Sequence, residues 1–177
     1  MAMVGLFWIA EGDVYLGAKP SGMAPGVRLT PEGVMGLGDG QSRLHLWEDV
    51  HALTMADVPL KSLLRRAGIV GGVAVETVMN LVLPERPLRS GEAPPMMTLR
   101  VESGGSEDTL RAYAAAAAGY SETEAGLSGA VLSRLTDGAA TMATTLAAMA
   151  DWGRTEGGAP RGAERERLLR RWADQEA

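Results

Sequence analysis

His45 and His51 are the only histidines of the chain and the first candidates for chemistry. An imidazole titrates near neutral pH and serves as a general base or a metal ligand. The two lie six residues apart in stretches with strand character, so they share a parity. Glu48 and Asp49 stand between them, but the pair falls in a turn. A metal centre also needs a defined ligand set and supporting hydrogen bonds. The plainer expectation is a surface or half-buried strand histidine at each position, with no metal and no cofactor.

The remaining chemical candidates read as structural devices. Ser121-Glu122-Thr123-Glu124 has the spacing of a capping box, in which the serine and the glutamate three positions on satisfy each other's backbone amides. Glu122 and Glu124 are therefore a helix start favoured by the macrodipole, not an acid–base couple. Gly36-Leu37-Gly38-Asp39-Gly40 is glycine-rich, but it precedes a strand and offers no helix N-terminus to a phosphate. No serine sits in a nucleophile elbow. The absence of cysteine excludes disulfides, thiolate chemistry and Cys-based zinc or iron–sulfur sites, and fits a reducing cytoplasm. The sequence thus predicts no catalytic residue and a protein that is not an enzyme; an enzyme of unrecognised type is the alternative.

The elements that carry these residues divide the chain in two. Leu6–Ala10, Val14–Leu16, Val27–Thr30, Val34–Leu37, Ser42–Trp47 and Val50–Met55 read as short strands separated by turn residues such as Glu11-Gly12 and Pro31-Glu32-Gly33. Asp39-Gly40 is a hairpin signal, and the strand after it alternates, with Leu44 and Leu46 on one face. Residues 60–95 break this rhythm as an apolar insertion. Gly68 to Leu83 holds only Glu76, Thr77 and Asn80 as polar residues. As a helix it would span about 24 Å, short of the roughly 30 Å hydrocarbon core. Met96–Val101 returns to strand, and Thr109 to about Ala114 is read as a closing strand despite its alanines. A helix follows the capping box, with Leu127, Val131 and Leu135 on one face and Gly138 at its stop. Thr141–Trp152 gives a second helix with Met142, Leu146 and Met149 on one face. Glu164–Gln175 is a charged amphipathic segment with Leu168, Leu169 and Trp172. The fold class is α+β: an antiparallel barrel or sandwich of about seven strands over residues 4–138, with the insertion at 60–95. An additional helix at 139–152, a linker at 153–162 and an amphipathic tail at 163–177 complete the organisation.

The totals limit the partners. With 177 residues the chain is the size of one domain with extensions, and its net charge of −5 argues against a nucleic-acid partner. The N-terminus lacks a basic region and turns acidic at Glu11, unlike a signal peptide.

Val27–Thr30, Pro31-Glu32-Gly33-Val34 and Arg43-Leu44-His45-Leu46-Trp47-Glu48-Asp49-Val50 together resemble bacterial pleckstrin-homology-like (PH-like) domains. There, a strand, an acidic-Gly turn and a basic-x-aliphatic-x-aliphatic-Trp-x-Asp-Val strand recur. The capped helix is similar to the one that plugs the barrel in that fold. Asp57-Val58-Pro59, Gly119–Glu124 and Leu132–Leu135 resemble actinobacterial proteins of this kind. The resemblance covers about residues 5–138 and implies a fold without an activity. The insertion departs from a minimal domain, and no basic residue precedes Lys19 in the first hairpin, where a phosphoinositide pocket would need one.

These observations imply a cytoplasmic, non-catalytic interaction module that binds a protein partner or self-associates as a homodimer. The surface expected to do so comprises Leu63, Leu64, Arg65, Arg66, Ile69, Val70, Val75, Val78, Met79, Leu81 and Trp172. The alternative partner is an anionic membrane surface meeting Arg65, Arg66, Arg86 and Arg89 at the flanks of the insertion. Trp47 is expected to be largely buried, and Trp172 to be exposed or partner-bound.

Overall fold

A computed structural model describes residues 1–38, 40–63, 94–155 and 158–174. The first strands, β1 (Ala2–Val4), β2 (Phe7–Ala10), β3 (Asp13–Leu16), β4 (Gly26–Leu29), β5 (Gly33–Leu37) and β6 (Leu44–Leu46), form a six-stranded antiparallel meander in chain order. Short connections dictate this order. Glu11 and Gly12 both have positive φ (56° and 91°), the pattern of a two-residue type I′ hairpin turn whose twist matches its strands. Gly104 and Gly105 (57° and 81°) do the same between β8 (Met96–Ser103) and β9 (Ser106–Tyr113). With β7 (Val50–Ala56), these two make a second, three-stranded antiparallel sheet in the order β7-β8-β9.

Side-chain alternation sorts the faces. The cross-strand row Ala2, Ile9, Val14, Leu29, Val34 and His45 is buried throughout, and the row Val4, Phe7, Leu16 and Val27 lies beside it on the same face. In the second sheet Met97, Leu99, Val101, Leu110 and Ala112 point inward. A bulge between Val50 and Ala52 lets Val50 and Leu53, three residues apart, both face the core. The two sheets share one apolar core but do not close into a barrel, so the barrel expectation is corrected to two open sheets with nine strands among the described residues. Gln41 spans the gap between them. Its side-chain amide donates to the carbonyls of Gly26, Leu37 and Arg111, and its Oε1 accepts from the Arg111 amide at 2.9 Å.

Among the described residues, three long helices cover the core. The first, α1 (Glu122–Leu135), starts at Ser121 with the full capping box: Ser121 Oγ accepts from the Glu124 amide at 3.1 Å, and Glu124 Oε2 accepts from the Ser121 amide at 3.2 Å. Its buried face, Val131, Leu132 and Leu135, packs toward β7. The second, α2 (Ala139–Thr155), lays Met142, Leu146, Met149 and Trp152 against β2 and β3. The last, α3 (Gly162–Asp174), folds back onto α1 and β1. Gly5, at φ 57°, lets the β1–β2 turn approach α1 and α3 so closely that a Cβ there would collide with Ser128 Oγ and Leu169. Ser128 Oγ uses that proximity to accept a hydrogen bond from the Leu6 amide at 3.0 Å.

Trp172 is fully buried rather than exposed or partner-bound, which corrects the sequence expectation. Its ring meets Trp152 edge-to-face, with centroids 5.9 Å apart and planes at 71°. Such a pair adds about 0.5–1.5 kcal/mol beyond area burial. The segment read as an amphipathic tail is therefore part of this chain's own core. Trp47, expected to be largely buried, is half-buried, with its indole N–H donating to the Thr30 carbonyl at 2.7 Å.

Candidate interaction site at the edge of the six-stranded sheet

β6 is the last strand of its sheet, and its outer side is open among the described residues. Its register against β5 pairs Met35 with Leu44, Val34 with His45 and Gly33 with Leu46. The Gly36 amide donates to the Arg43 carbonyl at 2.8 Å, and the Trp47 amide donates to the Glu32 carbonyl at 3.2 Å. Odd-numbered residues thus turn their backbone groups toward β5. By the alternation of an antiparallel ladder, Leu44 and Leu46 turn theirs outward. The Leu46 carbonyl closes a local turn by accepting from Asp49 at 3.0 Å. The Leu44 amide and carbonyl and the Leu46 amide have no protein partner among the described residues. The same two leucines expose apolar side chains, at 40% and 39%.

This edge is held rigidly from within. Gly33 lies so close to β6 that a Cβ would collide with the His45 carbonyl oxygen. Thr30 Oγ1 donates to the Gly33 carbonyl and accepts from the Gly33 amide, fixing the β4–β5 turn. Trp47 ties the far end of the strand to Thr30.

His45 anchors the inner face. Its side chain is 6% exposed, and Nε2 lies 3.4 Å from Asp108 Oδ2 on β9, without hydrogen-bond geometry. Arg43 Nη1 donates to the same oxygen at 2.8 Å. The Thr109 backbone amide, above all, holds the Asp108 carboxyl below the usual carboxylate range; partial burial opposes this, and Arg43 and His45 reinforce it. The cluster links β6 to the second sheet. His51, six residues on and of the same parity, sits exposed on β7 in the other sheet.

Glu124, Ser128 and Tyr120 are buried and engaged in structural hydrogen bonds, whereas the Trp8 and Trp172 indole N–H groups have no hydrogen-bond partner among the described residues. Glu124, 3% exposed, accepts from Arg165 Nε at 2.5 Å besides closing the cap. Burial pushes its carboxyl up, but the Arg165 hydrogen bond, the Ser121 amide and the guanidinium charge together bring it below its ordinary value. Ser128 Oγ donates to the Glu124 carbonyl at 2.7 Å. Tyr120 Oη accepts from the Ala115 amide at 2.9 Å, and burial raises its phenol against the effect of those amides.

Of the surface expected from the sequence, Leu63 is described, half-buried in a helical stretch at 61–63. The root of that stretch is pinned to α1. Leu60 and Tyr120 form a parallel bridge, in which the Lys61 amide donates to the Tyr120 carbonyl and the Tyr120 amide to the Pro59 carbonyl, and Ser62 Oγ donates to Glu122 Oε1 at 2.8 Å. Leu64, Arg65, Arg66, Ile69, Val70, Val75, Val78, Met79 and Leu81, with Arg86 and Arg89, lie outside the described residues. Among the described residues, no helix is long and apolar enough to cross a membrane, and no three acidic or histidine side chains gather to hold a metal. The sequence reading placed Leu44 and Leu46 on one strand face. It missed their edge position, which depends on strand order. No protein-family model, no curated protein and no solved structure matches this chain.

Proposed function

We propose that the chain is a non-catalytic interaction module that takes an extended segment of another polypeptide as an added strand along β6. The observation that carries this reading is the conjunction at Leu44 and Leu46 of outward backbone groups and exposed apolar side chains. Strand addition draws affinity from main-chain hydrogen bonds and specificity from alternate side chains. Natural edges are guarded by shortness or charge. This one is only three residues long, with Arg43 beside it. A contact of that size suits a transient partner rather than an obligate one. The engagement of Glu124 and Ser128 in structural bonds favours binding over catalysis. The resemblance of Arg43–Val50 and the capped helix to PH-like domains points to a related fold opened into two sheets and carries no activity of its own.

Selection from an unbiased peptide-display library tests the proposal. Enriched peptides should carry apolar residues at alternate positions. They should bind a Leu44→Lys/Leu46→Lys variant at least roughly tenfold more weakly, the effect of about 1.4 kcal/mol. Sedimentation velocity of both proteins identifies the case in which a second copy supplies the strand, since the dimer would then dissociate in the variant. Peptides that bind both proteins equally, or no enrichment together with a monomer, would refute the reading.

A further inference from the structure

We propose that Arg167, Arg170 and Arg171 form a binding site for a phosphate-type oxyanion in the depression between α2 and α3. These residues recur at the i, i+3, i+4 spacing that stacks side chains on one helix face. With Ala148 of α2 and Asp174 they line an open hollow of about 680 Å³, in the range of small-ligand sites. The opposite face of α3 is filled by Leu168, Leu169 and Trp172, all buried, so the guanidinium groups stay on the solvent side.

Their charge is poorly offset by the protein. Arg170 approaches Glu166 only at 3.7 Å, in an exposed pair. Arg167 and Arg171 have no ion-pair partner among the described residues. The residues that line the hollow carry three positive charges against the one carboxylate of Asp174, with Glu166 beside Arg170, on a chain whose net charge is −5. Like charges at these spacings destabilise an isolated helix by a few tenths of a kcal/mol per pair, and the helix C-terminus compensates only part of that. A bound dianion would relieve the repulsion. Planar guanidinium forks match phosphate oxygens in pairs, which an ammonium group does not. Glu124 holds Arg165 on the inner side, so that arginine is committed to the fold and excluded from the site.

Calorimetric titration with pyrophosphate, with sulfate as a control, tests the site in the full chain. Saturable, salt-sensitive binding is expected. Its affinity should fall at least roughly tenfold in Arg167→Gln/Arg171→Gln, the loss typical of a charge-assisted hydrogen bond. Circular dichroism checks that the variant stays folded, and Arg170→Gln provides a second, milder removal. Flotation with phosphatidylcholine vesicles, with and without phosphatidic acid, separates the two sources. Arginine-dependent flotation without pyrophosphate binding assigns a lipid headgroup, and the reverse assigns a soluble phosphate. Binding unchanged in both variants, or no binding in either assay, would overturn the proposal.

Discussion

Val131→Asp is expected to abolish cooperative folding at neutral pH. Val131 is fully buried on the inner face of α1, beside Leu132 and Leu135. An unpaired carboxylate there must be desolvated or protonated, and either route costs several kcal/mol. That is comparable to the whole stability of a domain, about 5–15 kcal/mol. Leu135→Asp, at 2% exposure, should behave alike. Val131→Ala separates charge from lost volume, since it should cost only about 2 kcal/mol. Urea unfolding followed by tryptophan fluorescence measures all three. An Asp variant that melts with the wild type would show that this face of α1 does not seal the sheets.

Glu124→Ala should cost about 3 kcal/mol, more than an ordinary cap. Loss of one member of a buried pair strands the other, and costs about 3–5 kcal/mol. Arg165 keeps 18% side-chain exposure and the Pro160 carbonyl, which places the effect at the lower end. The variant also loses the bond that Glu124 accepts from the Ser121 amide, so α1 frays while α3 loosens from it. A double-mutant cycle with Arg165→Ala isolates the pair from the cap. The pH dependence has a defined sign. The folded carboxyl lies below its unfolded value of about 4.3, so its contribution is complete above that pH. It fades as pH falls through the folded value. The stability gap between wild type and Glu124→Ala should therefore hold at neutral pH and narrow on acidification below about pH 4. A gap that persists into strong acid would mean that the ion pair contributes nothing.

Local signals explain what the sequence could show. The strands of the meander, the two-residue turn at Glu11-Gly12 and the capping box at Ser121 are written in neighbouring residues, and the structure has them in place. Thr109–Ala114 is strand through Tyr113 despite its alanines, because pairing with β8 and burial of Leu110 and Ala112 outweigh helix propensity. Non-local facts were illegible. An amphipathic helix looks the same whether its apolar stripe meets its own chain or another, so Trp172 read as a contact for a partner. Barrel closure depends on how two sheets meet, which alternation within one strand does not encode. Gln41 bonds to Arg111, 70 positions away, and no local pattern marks it. The edge position of β6 likewise follows from strand order, although the alternation of Leu44 and Leu46 was visible.

Strand addition requires that the rim beyond β6 be unclaimed before any ligand arrives. Amide hydrogen exchange of the free protein, resolved by NMR, reads this residue by residue. The Leu44 and Leu46 amides should exchange rapidly, while the neighbouring Trp47 amide, bonded to Glu32, exchanges slowly; added ligand peptide should then slow the two leucines. Slow exchange at Leu44 in the free monomer would mean that the rim is already occupied, and the binding account would be contradicted.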